Sequence, residues 1–91
     1  MELSKRERKL IGKAVRFLRT IYELDALFLS KRVGYSRCYQ LQLESGVVEP
    51  SDNAINKYSN YFKLSPDEML RIGNFQTLID AFKYLQSMGR V

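Results

Sequence analysis

Apolar residues recur every three or four positions along most of this chain. No stretch alternates with period two, so the pattern predicts helices and no strands. In the first segment Leu10, Ile11, Ala14, Val15, Leu18, Ile21 and Tyr22 fill one side of a helix running from about Ser4 to Tyr22. Lys5, Lys9, Lys13 and Arg16 fill the other side, and Arg19 falls on the border between them. A border arginine can lay its stem on the core and still reach a half-buried carboxylate.

Asp25 is a good N-cap for a second helix, about Ala26 to Val33, with Leu29 and Val33 inward and Ser30 small where a neighbour comes close. Gly34 ends it, as a residue at ease with positive φ. Ser36 then caps a third helix, about Arg37 to Ser45. Its inward side has Tyr39 and Leu43, and its outward side has Arg37, Cys38, Leu41, Gln42 and Ser45. Gly46 ends that helix, and Val47 to Pro50 form a loop. Ser51 caps a fourth helix that turns Ile55, Tyr58, Ser59 and Phe62 inward. Ser65-Pro66-Asp67-Glu68 is a capping box with proline at the first helical position. It starts a short fifth helix carrying Met69, Leu70 and Ile72, which Gly73-Asn74 breaks. A sixth helix, about 75–88, has the stripe Phe75, Leu78, Ile79, Phe82, Leu85 and Met88 and ends at Gly89. The expected fold is all-α, a compact bundle of five to six short helices.

Ninety-one residues, 45% of them hydrophobic, are enough for one small domain with one core, spanning 1–91. No apolar run is long enough for a transmembrane span. The basic N-terminal segment is amphipathic and has no small-residue cleavage site, so no signal peptide is expected. A single cysteine suits a reducing cytoplasm.

The net charge of +5 is unevenly placed. Lys5, Arg6, Arg8, Lys9, Lys13, Arg16 and Arg19 face only Glu2 and Glu7 within the first 22 residues, whereas the rest of the chain is balanced. A basic helix is often just a solvated face. Beside two short helices joined at Gly34-Tyr35-Ser36, which have the layout of a helix-turn-helix, it suggests a phosphate-facing surface.

With these residues in place, the chain resembles the Xre/Cro/CI family of lambda-repressor-like DNA-binding domains. The resemblance runs without a gap from Leu24 to Leu70 and reaches back to Arg19. It rests on an ordered set at fixed spacing: Leu24, Leu29, Ser30, Gly34, Ser36, Arg37, Leu43, Glu44, Gly46, Pro50, Ser51, Ile55, Leu64, Ser65, Asp67 and Glu68. It implies that Arg19 and Glu44 form an ion pair locking the third helix to the first. It implies base reading in the major groove by Arg37, Cys38, Leu41 and Gln42. Arg37 would fork onto guanine, Gln42 would pair with adenine and Leu41 would touch a thymine methyl. Phosphate contacts would come from Ser36, Ser45, Ser51 and Asn53, from the N-terminus of the second helix at Asp25-Ala26, and from Lys5, Lys9 and Lys13.

The chain departs from the family pattern at three places. Val47, Val48 and Glu49 stand where the loop after the third helix is often basic, leaving the electrostatic grip to the first helix. Gln40 takes a usually apolar position, so packing there is either shifted or bridged by polar partners. Leu27 and Phe28 stand where the second helix is usually polar, and either form an exposed patch or pack on the sixth helix.

Other readings compete at several residues. Cys38 is either a small contact residue or a redox-sensitive thiol at a DNA surface. Tyr35, Tyr39, Tyr58 and Tyr61 suggest stacking on single strands, but their helical spacing favours packing. The stripe of the sixth helix either closes the core or forms a dimer face.

No histidine, paired-cysteine motif, phosphate-cradling glycine loop or nucleophile with a base is present, so neither an enzyme nor a metal or other cofactor is expected. The expected function is sequence-specific binding of double-stranded DNA as a transcriptional regulator, a repressor acting as a homodimer on an inverted-repeat operator at the nucleoid. The alternative is an antitoxin-type protein-binding module that neutralises a partner through Leu27, Phe28 or the sixth helix. A phage or prophage switch protein would share the same chemistry.

Overall fold

The computed structural model describes residues 2–91, and among them the backbone forms six helices and no strand. These are α1 (Lys5–Ile21), α2 (Ala26–Val33), α3 (Arg37–Glu44), α4 (Asp52–Phe62), α5 (Pro66–Asn74) and α6 (Leu78–Ser87). The architecture is an all-α bundle.

Local chemistry sets the helix starts. Ser4, Asp25, Ser36, Ser51, Ser65 and Thr77 each accept a backbone N–H from three residues on. Each thereby satisfies one of the donors that a helix start leaves open. At Ser4 and Ser65 the box is closed by Glu7 and Glu68 reaching back. The Thr77 cap is a departure from expectation, because it starts the last helix three residues after Phe75.

One apolar cluster joins all six helices. Ile11, Val15 and Leu18 of α1 meet Leu29 of α2, Leu43 of α3, Ile55 and Tyr58 of α4, Met69 and Ile72 of α5, and Leu85 of α6. Its tightest seam is α1 against α5. α5 ends at Asn74, where Gly73-Asn74 is expected to break it, and Gly73 lies in its last turn. A Cβ there would run into the Leu10 carbonyl oxygen, so glycine serves close backbone approach. Gly12 does the same where α1 crosses α3, against the Leu43 carbonyl.

The stripe expected on the last helix is split. Ala81 and Leu85 face the core, but Leu78, Ile79 and Phe82 are 37%, 66% and 38% exposed. Leu27 and Phe28 are also exposed, so α6 does not cover them. No helix among the described residues is long and apolar enough to cross a membrane.

Candidate nucleic-acid interface

The segment between α2 and α3 is three residues long. Gly34 takes φ 89° in the left-handed region, and its N–H returns to the Ser30 and Lys31 carbonyls. Tyr35 N–H also bonds the Ser30 carbonyl. Ser36 then opens α3 by accepting the Tyr39 N–H at 3.0 Å. Buried Ser30, whose hydroxyl donates to the Leu27 carbonyl, leaves room for this close turn.

The inner face of α3 is fastened by a polar chain. Arg19 forks onto Glu44, with Nε–Oε2 at 2.9 Å and Nη2–Oε1 at 3.0 Å, and its Nη1 donates to the Leu24 carbonyl. Glu44 is buried, and Oε2 also receives Gln40 Nε2 at 3.0 Å. The Gln40 Oε1 in turn accepts the Tyr58 hydroxyl at 3.1 Å. Gln40 is therefore polar-bridged, not shifted. It ties the Arg19–Glu44 pair to α4 while satisfying both ends of a buried amide. The hydrogen bonds that Arg19 donates to Glu44 hold its proton more firmly than usual, and burial pushes the Tyr58 phenol well above its ordinary range.

With that face anchored, Cys38 and Gln42 stand exposed on the opposite side of α3, Arg37 is exposed in its first turn, and Leu41 is half-buried. An arginine and a glutamine so placed present a fork and an amide, the two groups that match purine edges bidentately.

The candidate phosphate-contacting residues fare differently. Lys5, Lys9 and Lys13, together with Arg6 and Arg16, line a groove of about 490 Å³ that runs from α1 to Ser45 and Gly46 at the end of α3. Lys5 and Lys9 are exposed. Lys13 is already engaged: its Nζ donates to the Phe75 carbonyl at 2.8 Å and lies over the Phe17 ring. Ser45 donates its hydroxyl to the Gln42 carbonyl, so that proton is used within α3. Ser36 and Ser51 are exposed caps whose hydroxyl oxygens each accept a backbone N–H, a role that does not use the O–H as a donor. Asn53 is exposed and lies 3.5 Å from the Tyr35 hydroxyl. Asp25, at the start of α2, is exposed and occupied in capping Phe28, with Ala26 buried behind it.

Two arginines that pattern alone does not distinguish hold the frame. Arg8 bonds the Pro50 carbonyl and Asp52, fixing the loop after α3 to α1, and its guanidinium lowers the Asp52 carboxyl pKa. Arg90 donates to the carbonyls of Phe62 and Lys63 at the end of α4, and its own carbonyl accepts the Tyr22 hydroxyl. Their partners lie far off in sequence, so no local signal marks them.

Among the tyrosines, Tyr58 is buried, and Tyr35 and Tyr39 are half-buried in one aromatic cluster with it. Tyr61 packs edge-on against Phe62. Among the described residues, no cluster of three or more His, Cys, Asp or Glu is placed to hold a metal ion. Cys38 is an exposed free thiol. Comparison with protein families, with curated proteins and with solved structures finds no match to this chain.

Proposed function

We propose that the chain is a lambda-repressor-like, sequence-specific double-stranded DNA-binding protein, of the kind its sequence resembles, acting as a transcriptional repressor at the nucleoid in the cytoplasm. The observation that carries this reading is the contrast between the two faces of α3. One is clamped to α1 and α4 through Glu44 and Gln40, and the other holds Cys38 and Gln42 out to solvent, with Arg37 exposed in the first turn. An eight-residue helix so held can enter a major groove as a rigid probe. The basic groove beside it, with exposed Lys5 and Lys9, supplies the sequence-independent attraction to the phosphate backbone.

The test is selection of bound duplexes from a random library by the purified chain. Enrichment of a short motif, arranged as an inverted repeat with half-sites about one helical turn apart, supports the reading. A pool that stays random after repeated rounds rejects it. Exposed Leu27 and Phe28, the latter under the Arg32 guanidinium at 4.8 Å, favour a second reading as an antitoxin-type module that also binds a protein.

A further inference from the structure

The face formed by α2 and α4 carries charge that the fold does not use. From Ala26 to Leu43 and from Asn53 to Pro66 the chain holds Lys31, Arg32, Arg37, Lys57 and Lys63 and no acid. All five bases are exposed. The flanking acids do not neutralise them: Asp25 caps α2 about two turns from Arg32, and Asp52 is bonded to Arg8. A groove of about 440 Å³ runs between the two helices, lined by Arg32, Val33, Lys57, Asn60 and Tyr61. Arg32 lies over the Phe28 ring at 4.8 Å and Lys57 over the Tyr35 ring at 5.0 Å. Among the described residues neither cation is in an ion pair. The ring contacts hold both cations at the rim without spending their N–H donors. Val33 is buried in the floor, while Tyr61 and Phe28 are 36% and 42% exposed.

Charge and ring geometry indicate what covers this groove. A second copy would set bases against bases. A single-stranded nucleic acid would need several open ring faces for its bases. Arg32 covers the Phe28 ring and Lys57 the Tyr35 ring, leaving Tyr61 as the one platform in the groove. A protein segment bearing both carboxylates and apolar side chains fits every wall. One carboxylate forks onto Arg32 and another meets Lys57. An apolar side chain settles against Val33 and Tyr61, and the Asn60 amide can bond the segment's backbone.

We propose that the α2–α4 groove is the docking site for an acidic, amphipathic segment of another protein, held by Arg32 and Lys57 over an apolar floor. Phe28 and Arg32 each lie about 160° around α2 from Ser30, which backs the turn into α3. The docked segment therefore leaves the outer face of α3 open, and the chain can hold this partner and a duplex together. That consequence rests on the proposed function, whereas the docking itself does not.

The experiment selects peptides of about twelve residues from a random displayed library on the immobilised full chain, without DNA. The pool is expected to be enriched in Asp and Glu interleaved with aliphatic or aromatic residues. The most enriched peptide, synthesised with a fluorescent label, is expected to bind with a Kd of about 1–100 µM by anisotropy. Arg32→Glu and Lys57→Glu, each alone, are expected to weaken it at least about tenfold, and Lys57→Arg to keep most of the affinity. Circular dichroism melts check that each variant is folded. Amide chemical-shift mapping on the wild type needs no variant and is expected to mark Val33, Asn60 and Tyr61. A pool without acid enrichment overturns the proposal, as does binding that both reversals leave unchanged, or shifts that fall outside the groove. A peptide weakened by Lys5→Glu and not by Lys57→Glu sits in the α1 groove and overturns it too. So does a labelled thymidine oligonucleotide that binds more tightly than the peptide and depends on Arg32 and Lys57. Because no duplex is present, failure here is separate from failure of the duplex selection.

Discussion

Tyr58 donates its hydroxyl to Gln40 Oε1 at 3.1 Å, with both side chains buried. This bond closes a chain that starts at Arg19 and passes through Glu44, so α1, α3 and α4 share one polar seam through an otherwise apolar core. Such a seam is costly when broken at one link, because the groups left behind are buried without partners.

Gln40→Leu removes one donor from Glu44 and strands the Tyr58 hydroxyl. It is expected to destabilise the fold by about 2–4 kcal/mol. Tyr58→Phe is expected to cost about 1–3 kcal/mol, since Gln40 Oε1 loses its donor. The double variant Gln40→Leu/Tyr58→Phe should cost less than the sum. Urea denaturation checks the cycle, and costs that add to within about 0.5 kcal/mol would dismiss the coupling.

The same tyrosine gives the fold an alkaline limit. Burial, assisted by the Glu44 charge, holds its pKa in the folded protein well above the ordinary value of about 10. The unfolded chain therefore releases this proton first as pH rises. The associated stability is whole below pH of about 10 and falls above it, with a limiting slope of about 1.4 kcal/mol per pH unit for one proton. Tyr58→Phe starts from lower stability but should lose less of it between about pH 10 and pH 11. Parallel curves for the two proteins would show that Tyr58 is not the group responsible.

Much of this seam and of the frame around it can be read from local sequence, and the misreadings have physical causes. Ser4, Asp25, Ser36, Ser51 and Ser65 announce helix starts because a cap acts over three residues. Gly73 marks the end of α5 in the sequence, but its second role, close backbone approach, depends on the position of Leu10 and is not legible there. Periodicity reveals that α6 has an apolar face but not that part of it lacks a neighbour, hence the exposure of Ile79. Gln40 stands out in the sequence as a polar residue in an apolar place, yet its partner Tyr58 is 18 residues away. Lys9 and Lys13 are equivalent on a helical wheel, and only the fold commits Lys13 to the Phe75 carbonyl.

Gly73→Ala tests the close approach of α5 to α1. The added methyl would meet the Leu10 backbone oxygen, and backbone inside two packed helices cannot move aside cheaply. The expected result is a loss of about 3 kcal/mol or more, above the usual range for a single substitution, despite the higher helix propensity of alanine. A thermal melt within a few degrees of wild type would mean that the α1–α5 seam has room for a methyl group.

Arg37→Ala tests base reading on the proposed DNA face. The side chain is exposed at the start of α3, so its removal should leave the melt unchanged. On the selected cognate duplex the expected loss is about 1–3 kcal/mol, with relaxed preference at one base position. A repeated duplex selection that returns the same motif at the same stringency would remove Arg37 from the base-reading set.

Lys9 and Lys13 separate attraction to phosphate from attachment within the fold. Lys9 is exposed on the rim of the basic groove, whereas Lys13 is half-buried with its ammonium on the Phe75 carbonyl. Lys9→Ala should weaken cognate and random duplexes alike and reduce the salt slope of binding by about one unit, the effect of one released counterion. Lys13→Ala should instead lower stability by about 1–3 kcal/mol, the usual contribution of a hydrogen bond to a charged group, and change the salt slope less. Both are read from binding titrations at several salt concentrations together with urea melts. If Lys9→Ala leaves the slope unchanged, the charges of α1 are a solvated face, and the electrostatic part of the DNA reading falls with them.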